Sequence, residues 1–117
     1  MPMKCIFCKI VNRDILSEIV YEDKDVLGFE NVKPEAPIHL LFIPKKHIEW
    51  KDEFTDKEIE FFGQLISVAK KIAIERDIFQ DCKIIFNLGK TGHIPHIHLH
   101  LIGGWKKEIP MGNVSKD

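Results

Sequence analysis

Near its C-terminal end the chain reads His96-Ile97-His98-Leu99-His100-Leu101-Ile102, a strict alternation of histidine with aliphatic residues. Period two belongs to a β-strand, so the pattern predicts a strand over 96–102 with three imidazoles on one face, roughly 7 Å apart. Ile97, Leu99 and Leu101 then point into a core, which requires a sheet and something packed on it. Three of the six histidines on one strand face point to chemistry rather than to solvation. Two chemistries use such a row: a zinc site with neutral imidazole ligands and an open water position, or a histidine nucleophile whose neighbours hold a developing anion. Three consecutive positions on one face span about 13 Å, which disfavours one ion holding all of His96, His98 and His100.

The partners for this strand are segments 18–22, 26–30, 39–43 and 83–87, each short, apolar and bounded by polar, Gly or Pro residues. A long helix starts at Thr55, where Thr55 and Glu58 have capping-box spacing. It ends near Arg76 and Asp77, and Ile59, Phe62, Ile66, Ala69 and Ala73 form its expected buried stripe. A shorter turn spans 6–11, with Ile6, Phe7 and Ile10 expected inward. Short connections, including the Asp23-Lys24-Asp25 turn, predict an α+β fold: about five mostly antiparallel strands, one long helix and one short one.

At 117 residues the chain is the size of one domain, 1–117. Seventeen basic against eighteen acidic residues leave a net charge of −1, with no broad basic field for nucleic acid. The longest apolar run, 38–43, is interrupted by His39 and followed by Pro44, far short of the roughly 20 residues of a membrane span. Residues 1–9 carry no secretory apolar region, so a reducing cytoplasm is expected and the three cysteines are thiols or metal ligands. Cys5-Ile6-Phe7-Cys8 has the spacing of half a tetrahedral zinc site; a redox pair and two buried thiols are its alternatives. Cys82 has no partner spacing.

The histidine run resembles the signature of the histidine triad hydrolases and transferases, His-φ-His-φ-His-φ-φ with φ apolar. The likeness extends to Ile6-Phe7-Cys8-Lys9-Ile10, Tyr21-Glu22-Asp23, Ala36-Pro37-Ile38-His39, Ile43-Pro44-Lys45-Lys46-His47 and Gly103-Gly104. It is greatest to the purine nucleoside phosphoramidase branch, with a Cys-x-x-Cys feature of some microbial members. The resemblance implies that His98 attacks the α-phosphorus of a purine nucleotide or nucleoside phosphoramidate, giving a covalent nucleotidyl-histidine that water releases. A neutral imidazole suits that task without a catalytic metal. His100 and Asn87 would hold the phosphate oxygens, and His39 would belong to the relay behind the reacting ring.

The same resemblance places Ile6, Phe7, Ile10, Leu27 and Phe29 around the base, with Asn31 and Val32 at the ribose and Thr91, Gly92 and His93 along the phosphate loop. Two departures matter. Asn31 stands where closer relatives carry an acidic residue, and the loop 87–93 is shorter and carries His93 where a serine or threonine protonates the leaving group. His93, or a re-aimed Thr91, is then the expected acid. The tail also lacks a tryptophan at Ile109. For metal, microbial relatives pair the cysteines with the histidine of Pro-Lys-x-His and the first triad histidine, here His47 and His96, as a structural zinc clamp. The resemblance also implies a homodimer paired through the long helix and the last central strand; Phe61, Leu65 and Ile72, off the expected core stripe, are candidate contacts or, equally, cover loops of the same chain.

Overall fold

The computed structural model describes residues 5–105. The elements follow as α1 (Ile6–Val11), β1 (Ile19–Glu22), β2 (Val26–Glu30), β3 (Ile38–Pro44), α2 (Asp56–Glu75), β4 (Cys82–Phe86), a 3-10 turn (Gly89–Gly92) and β5 (Leu99–Gly103). The five strands make one sheet in the order β1-β2-β3-β5-β4, with every neighbouring pair antiparallel. This is the expected α+β fold, and β1, β3 and β4 differ from the expected strands by a residue at their ends. No helix among the described residues is long and apolar enough to cross a membrane. Ile109 lies outside the described residues.

Alternation along the strands divides the side chains between two faces. Val26, Leu40, Phe42, Leu99 and Leu101 reach the face on which α2 packs. Leu27, Phe29, Leu41 and Ile43 reach the other, beneath α1, and His39 and His100 share that second face by the same parity. Gly28 allows the strands to close: a Cβ there would stand 2.5 Å from Phe42 Cε1.

Helix α2 is capped as the sequence predicts, with Glu58 N–H donating to Thr55 Oγ1 (3.1 Å) and Thr55 N–H to Glu58 Oε1 (2.9 Å). Its buried face differs from the expected one. Phe61, Leu65, Val68 and Ile72 are buried together with Ala69 and Ala73, whereas Ile59 and Ile66 are 54% and 45% exposed and Phe62 is half-buried. The helix carries two apolar stripes about 100° apart, and spacing alone cannot rank them. Phe61, Leu65 and Ile72 are therefore core residues and not surface contacts. In α1, Phe7, Cys8 and Ile10 are buried but Ile6 sits at the rim.

The histidine strand is also shorter than its pattern. Its ladder begins at Leu99, opposite Phe42 on one side and Phe86 on the other. Continuing the register would bring Ile97 opposite Pro44, which has no N–H to donate. Ile97 N–H bonds instead to the Ile48 carbonyl (2.7 Å). Residues 96–98 thus lie outside the ladder, with the chain bending at His96, and His96 is free to turn away from the row.

Candidate active site and metal centre

Between α1, the end of β2 and the segment 87–94 lies a cleft of about 710 Å³ on the α1 face of the sheet. Ile6, Phe7, Ile10 and Phe29 supply its apolar wall, and Asn31 and Val32 its outer edge. Asn87, Gly92, His93, His98 and His100 line the other side. Two expected residues do not reach it: Leu27 is fully buried beneath α1, and Thr91 is exposed on the 3-10 turn. The sequence reading missed Ile15, Leu16 and Ile94, which extend the apolar wall, and Ser17, Lys33 and Glu35, which add polar groups. Ile15 and Leu16 belong to no periodic element, so no spacing marked them.

Hydrogen bonds fix where the protons sit. His98 Nδ1–H donates to the His96 carbonyl oxygen (2.7 Å). A carbonyl only accepts, so the proton is on Nδ1 and Nε2 is bare. Burial lowers the His98 pKa below the ordinary imidazole value and keeps the ring neutral. Gly92 is a required close approach, because a Cβ there would meet Asn87 O at 2.5 Å and stand 3.8 Å from His98 Cε1.

The second ring is set differently. Glu35 N–H donates to His39 Nδ1 (3.0 Å), so His39 carries its proton on Nε2, facing His100 Nδ1 at 2.9 Å. His100 accepts there and keeps its own proton on Nε2, which lies 3.3 Å from Asn87 Nδ2, two donors side by side and not bonded to each other. Asn31 stands beside the group: its Nδ2, itself a donor, lies 3.2 Å from His39 Nε2 without bonding to it, while its Oδ1 accepts from Lys33 N–H (2.8 Å). Burial, with the nearby His98 and His39, pushes the His100 pKa down to about 4; burial also lowers His39, partly offset by Glu35. His39 thus orients His100, and a backbone carbonyl orients His98, a division that side-chain types cannot reveal. His98 and His100 stand with ring centroids 5.0 Å apart, one offering a lone pair and the other an N–H. His93 lines the same cleft with φ +64°, in the left-handed region uncommon outside glycine.

His96 belongs to a separate cluster with Cys5, Cys8 and His47, whose four ligand atoms lie within 4.8 Å of one another. Cys5 Sγ is 3.4 Å and Cys8 Sγ 3.7 Å from His96 Nδ1; His47 Nδ1 is 3.3 Å from Cys8 Sγ and 3.2 Å from His96 Nδ1. A tetrahedral ion with bonds of about 2.1–2.3 Å has ligand–ligand edges of roughly 3.4–3.8 Å. Outer partners complete the fit. His96 Nε2–H donates to the Pro44 carbonyl (2.9 Å) and His47 Nε2–H to the Glu49 carboxylate (2.8 Å), which leaves both Nδ1 lone pairs facing each other and the thiols. Without a cation, burial and Cys5 hold the Cys8 thiol up at about 11; a bound cation reverses that penalty. The arrangement in which all three triad histidines share one ion is not the one found.

The family model for the scavenger mRNA decapping enzyme C-terminal binding region matches residues 4–114. A 14 kDa zinc-binding protein of Zea mays is 38% identical over 115 residues, covering 92% of this chain and 87% of that protein. One of the same name from Brassica juncea is 38% identical over 111 residues, covering 92% and 98%. Among solved structures, a HIT family hydrolase from Legionella pneumophila Philadelphia 1 superposes with TM-score 0.81 at 38% identity, covering 93% of this chain and all of that one. A histidine triad protein from Clostridium difficile gives TM-score 0.82 at 38% identity, covering 98% and 99%. With a family model matching residues 4–114 and with a HIT family hydrolase and a histidine triad protein superposing over nearly its whole length at 38% identity, the chain belongs to the histidine triad family.

Proposed function

We propose that this chain is a nucleotidyl hydrolase of the phosphoramidase type, acting on the α-phosphorus of purine nucleotide derivatives. The observation that carries the reading is the pairing of a bare His98 Nε2 with a His100 Nε2–H at the mouth of an apolar cleft. Ile6, Phe7, Ile10 and Phe29 hold the base, with Asn31 and Val32 beside the ribose. The His98 Nε2 lone pair attacks phosphorus; the new N–P bond forms as the bond from phosphorus to the leaving amine breaks. His100 Nε2–H and the Asn87 amide stabilise the phosphoryl oxygens as charge grows on them. His93 gives a proton to the departing amine and takes one from the water that then attacks the nucleotidyl-histidine. The P–Nε2 bond breaks, releasing a nucleoside monophosphate and neutral His98.

The attack uses protein groups alone. We assign a structural zinc ion to Cys5, Cys8, His47 and His96, a reading supported by the tetrahedral edges and by the zinc-binding plant relatives. Bound there, the ion cross-links α1 to the sheet. We also propose a homodimer: Ile59 and Ile66 of α2 and Ile84 of the edge strand β4 form an outward apolar surface continuous through Phe62 and Phe86, whose ring centroids are 5.5 Å apart. Three thiols suit a reducing, cytoplasmic setting.

Incubation with an adenosine phosphoramidate labelled at phosphorus tests the reaction. Acid-labile label on His98, absent in His98→Ala, is expected. Normal AMP affinity with neither label nor turnover would make the chain a nucleotide-binding module instead.

A further inference from the structure

The two histidine clusters meet in one residue. His96 is held by its ring at both nitrogens, Nδ1 among the sulfurs and His47, Nε2–H on the Pro44 carbonyl. Its backbone carbonyl is the group that receives His98 Nδ1–H at 2.7 Å. A second link runs through the cysteine pair. Cys5 and Cys8 bracket Phe7, whose ring meets His96, His98 and Phe29 edge to face with centroids 5.8, 5.1 and 5.7 Å apart. Phe7 is also a wall of the cleft.

We propose that the Cys5-Cys8-His47-His96 cluster is a positioning device for His98 and for the Phe7 wall, so that a metal held outside the cleft governs nucleotide binding and attack inside it. His47 is then a positioning residue for a ring it does not touch. The physical basis is the proton on Nδ1. While residue 96 is fixed, its carbonyl keeps that proton in place and Nε2 bare; once the cluster is emptied, two facing lone pairs and two buried thiols must separate, and residue 96 moves with them. A displacement of about 1 Å at a reacting group costs on the order of 100-fold in rate. The kinetic part rests on the nucleotidyl-transfer reading; the binding and spectroscopic parts do not.

The experiment compares His47→Ala and His47→Cys with the metal-loaded wild type. Four readouts are taken: metal per chain, the His98 Nδ1–H resonance in histidine-labelled protein, AMP affinity, and single-turnover labelling. His47→Ala is expected to lose the metal and the protected His98 resonance, to bind AMP about tenfold more weakly, and to label roughly 100-fold more slowly. His47→Cys, which restores a fourth ligand, is expected to recover all four. A folded, metal-free His47→Ala that keeps the resonance and AMP affinity within about twofold overturns the proposal. If His47→Ala does not fold, the wild type with Co²⁺ in the cluster decides: coupling is reciprocal, so saturating AMP must shift the cobalt absorption bands, and unmoved bands overturn it. Band shifts without any histidine label would leave the positioning intact and sink the nucleotidyl-transfer reading.

Discussion

His96 and His98 stand two residues apart just before β5, and both are almost fully buried. His96 presents Nδ1 to two sulfurs and keeps its proton on Nε2; His98 keeps its proton on Nδ1 and presents a bare Nε2 to the cleft. Opposite tautomers follow from which nitrogen meets a carbonyl oxygen. Identical residue types thus present opposite ring nitrogens, one to a sulfur-lined cluster and one to the cleft, through hydrogen bonds to backbone carbonyls, and the alternation in sequence shows neither.

Crossed substitutions break this comparison if it is wrong. His98→Ala should lower nucleotidyl labelling by at least about 1000-fold while retaining one metal per chain, since the imidazole is the bond-forming group. The Cys5→Ser/Cys8→Ser double variant should lose the metal and melt at least about 10 °C lower, because the metal-binding free energy is part of the folding free energy. Metal analysis and a melting curve on each variant decide it; loss of metal in His98→Ala would merge the two clusters into one site.

Smaller effects sharpen the division. Gly92→Ala pushes a Cβ against Asn87 O and should slow labelling roughly 100-fold with the metal retained. His93→Ala should slow turnover of amine-leaving substrates by about 100-fold and leave a substrate with a good leaving group nearly unchanged, as steady-state rates on both would show. The smallest effect concerns acid stability. An unfolded histidine titrates near 6.5, whereas folded His100 resists protonation down to about 4. Between those values the unfolded chain binds the extra proton, so stability is lost as pH falls through that window. In His100→Gln the drop in melting temperature from pH 7 to 5 should be less by about 4 °C, roughly 1 kcal/mol after allowance for solvent screening.

Much of the architecture was legible from local signals. The capping box of Thr55 and Glu58 fixed one end of α2, and β2 needed only its composition and flanking turn. The buried side of α2 was not legible, since two apolar stripes compete and the sheet alone selects between them. The histidine run was legible as a strand from Leu99 on, but the point where its ladder stops depends on Pro44, some fifty positions away in sequence and opposite only in space. Within the site, the resemblance brought Cys5, Cys8, His47 and His96 together correctly as a cluster. Leu27 shares the parity and the burial of Phe29, yet only Phe29 lines the cleft, a difference of place along the strand that alternation does not encode.

Helix α2 and its core residues occupy the face of the sheet opposite the cleft that His98 and His100 line. Random variation at Leu65, Val68 or Ile72 should therefore move thermal tolerance up or down without reordering preference among substrates. A lineage could drift in that layer while its chemistry stayed put, and an engineer could harden one trait before touching the other.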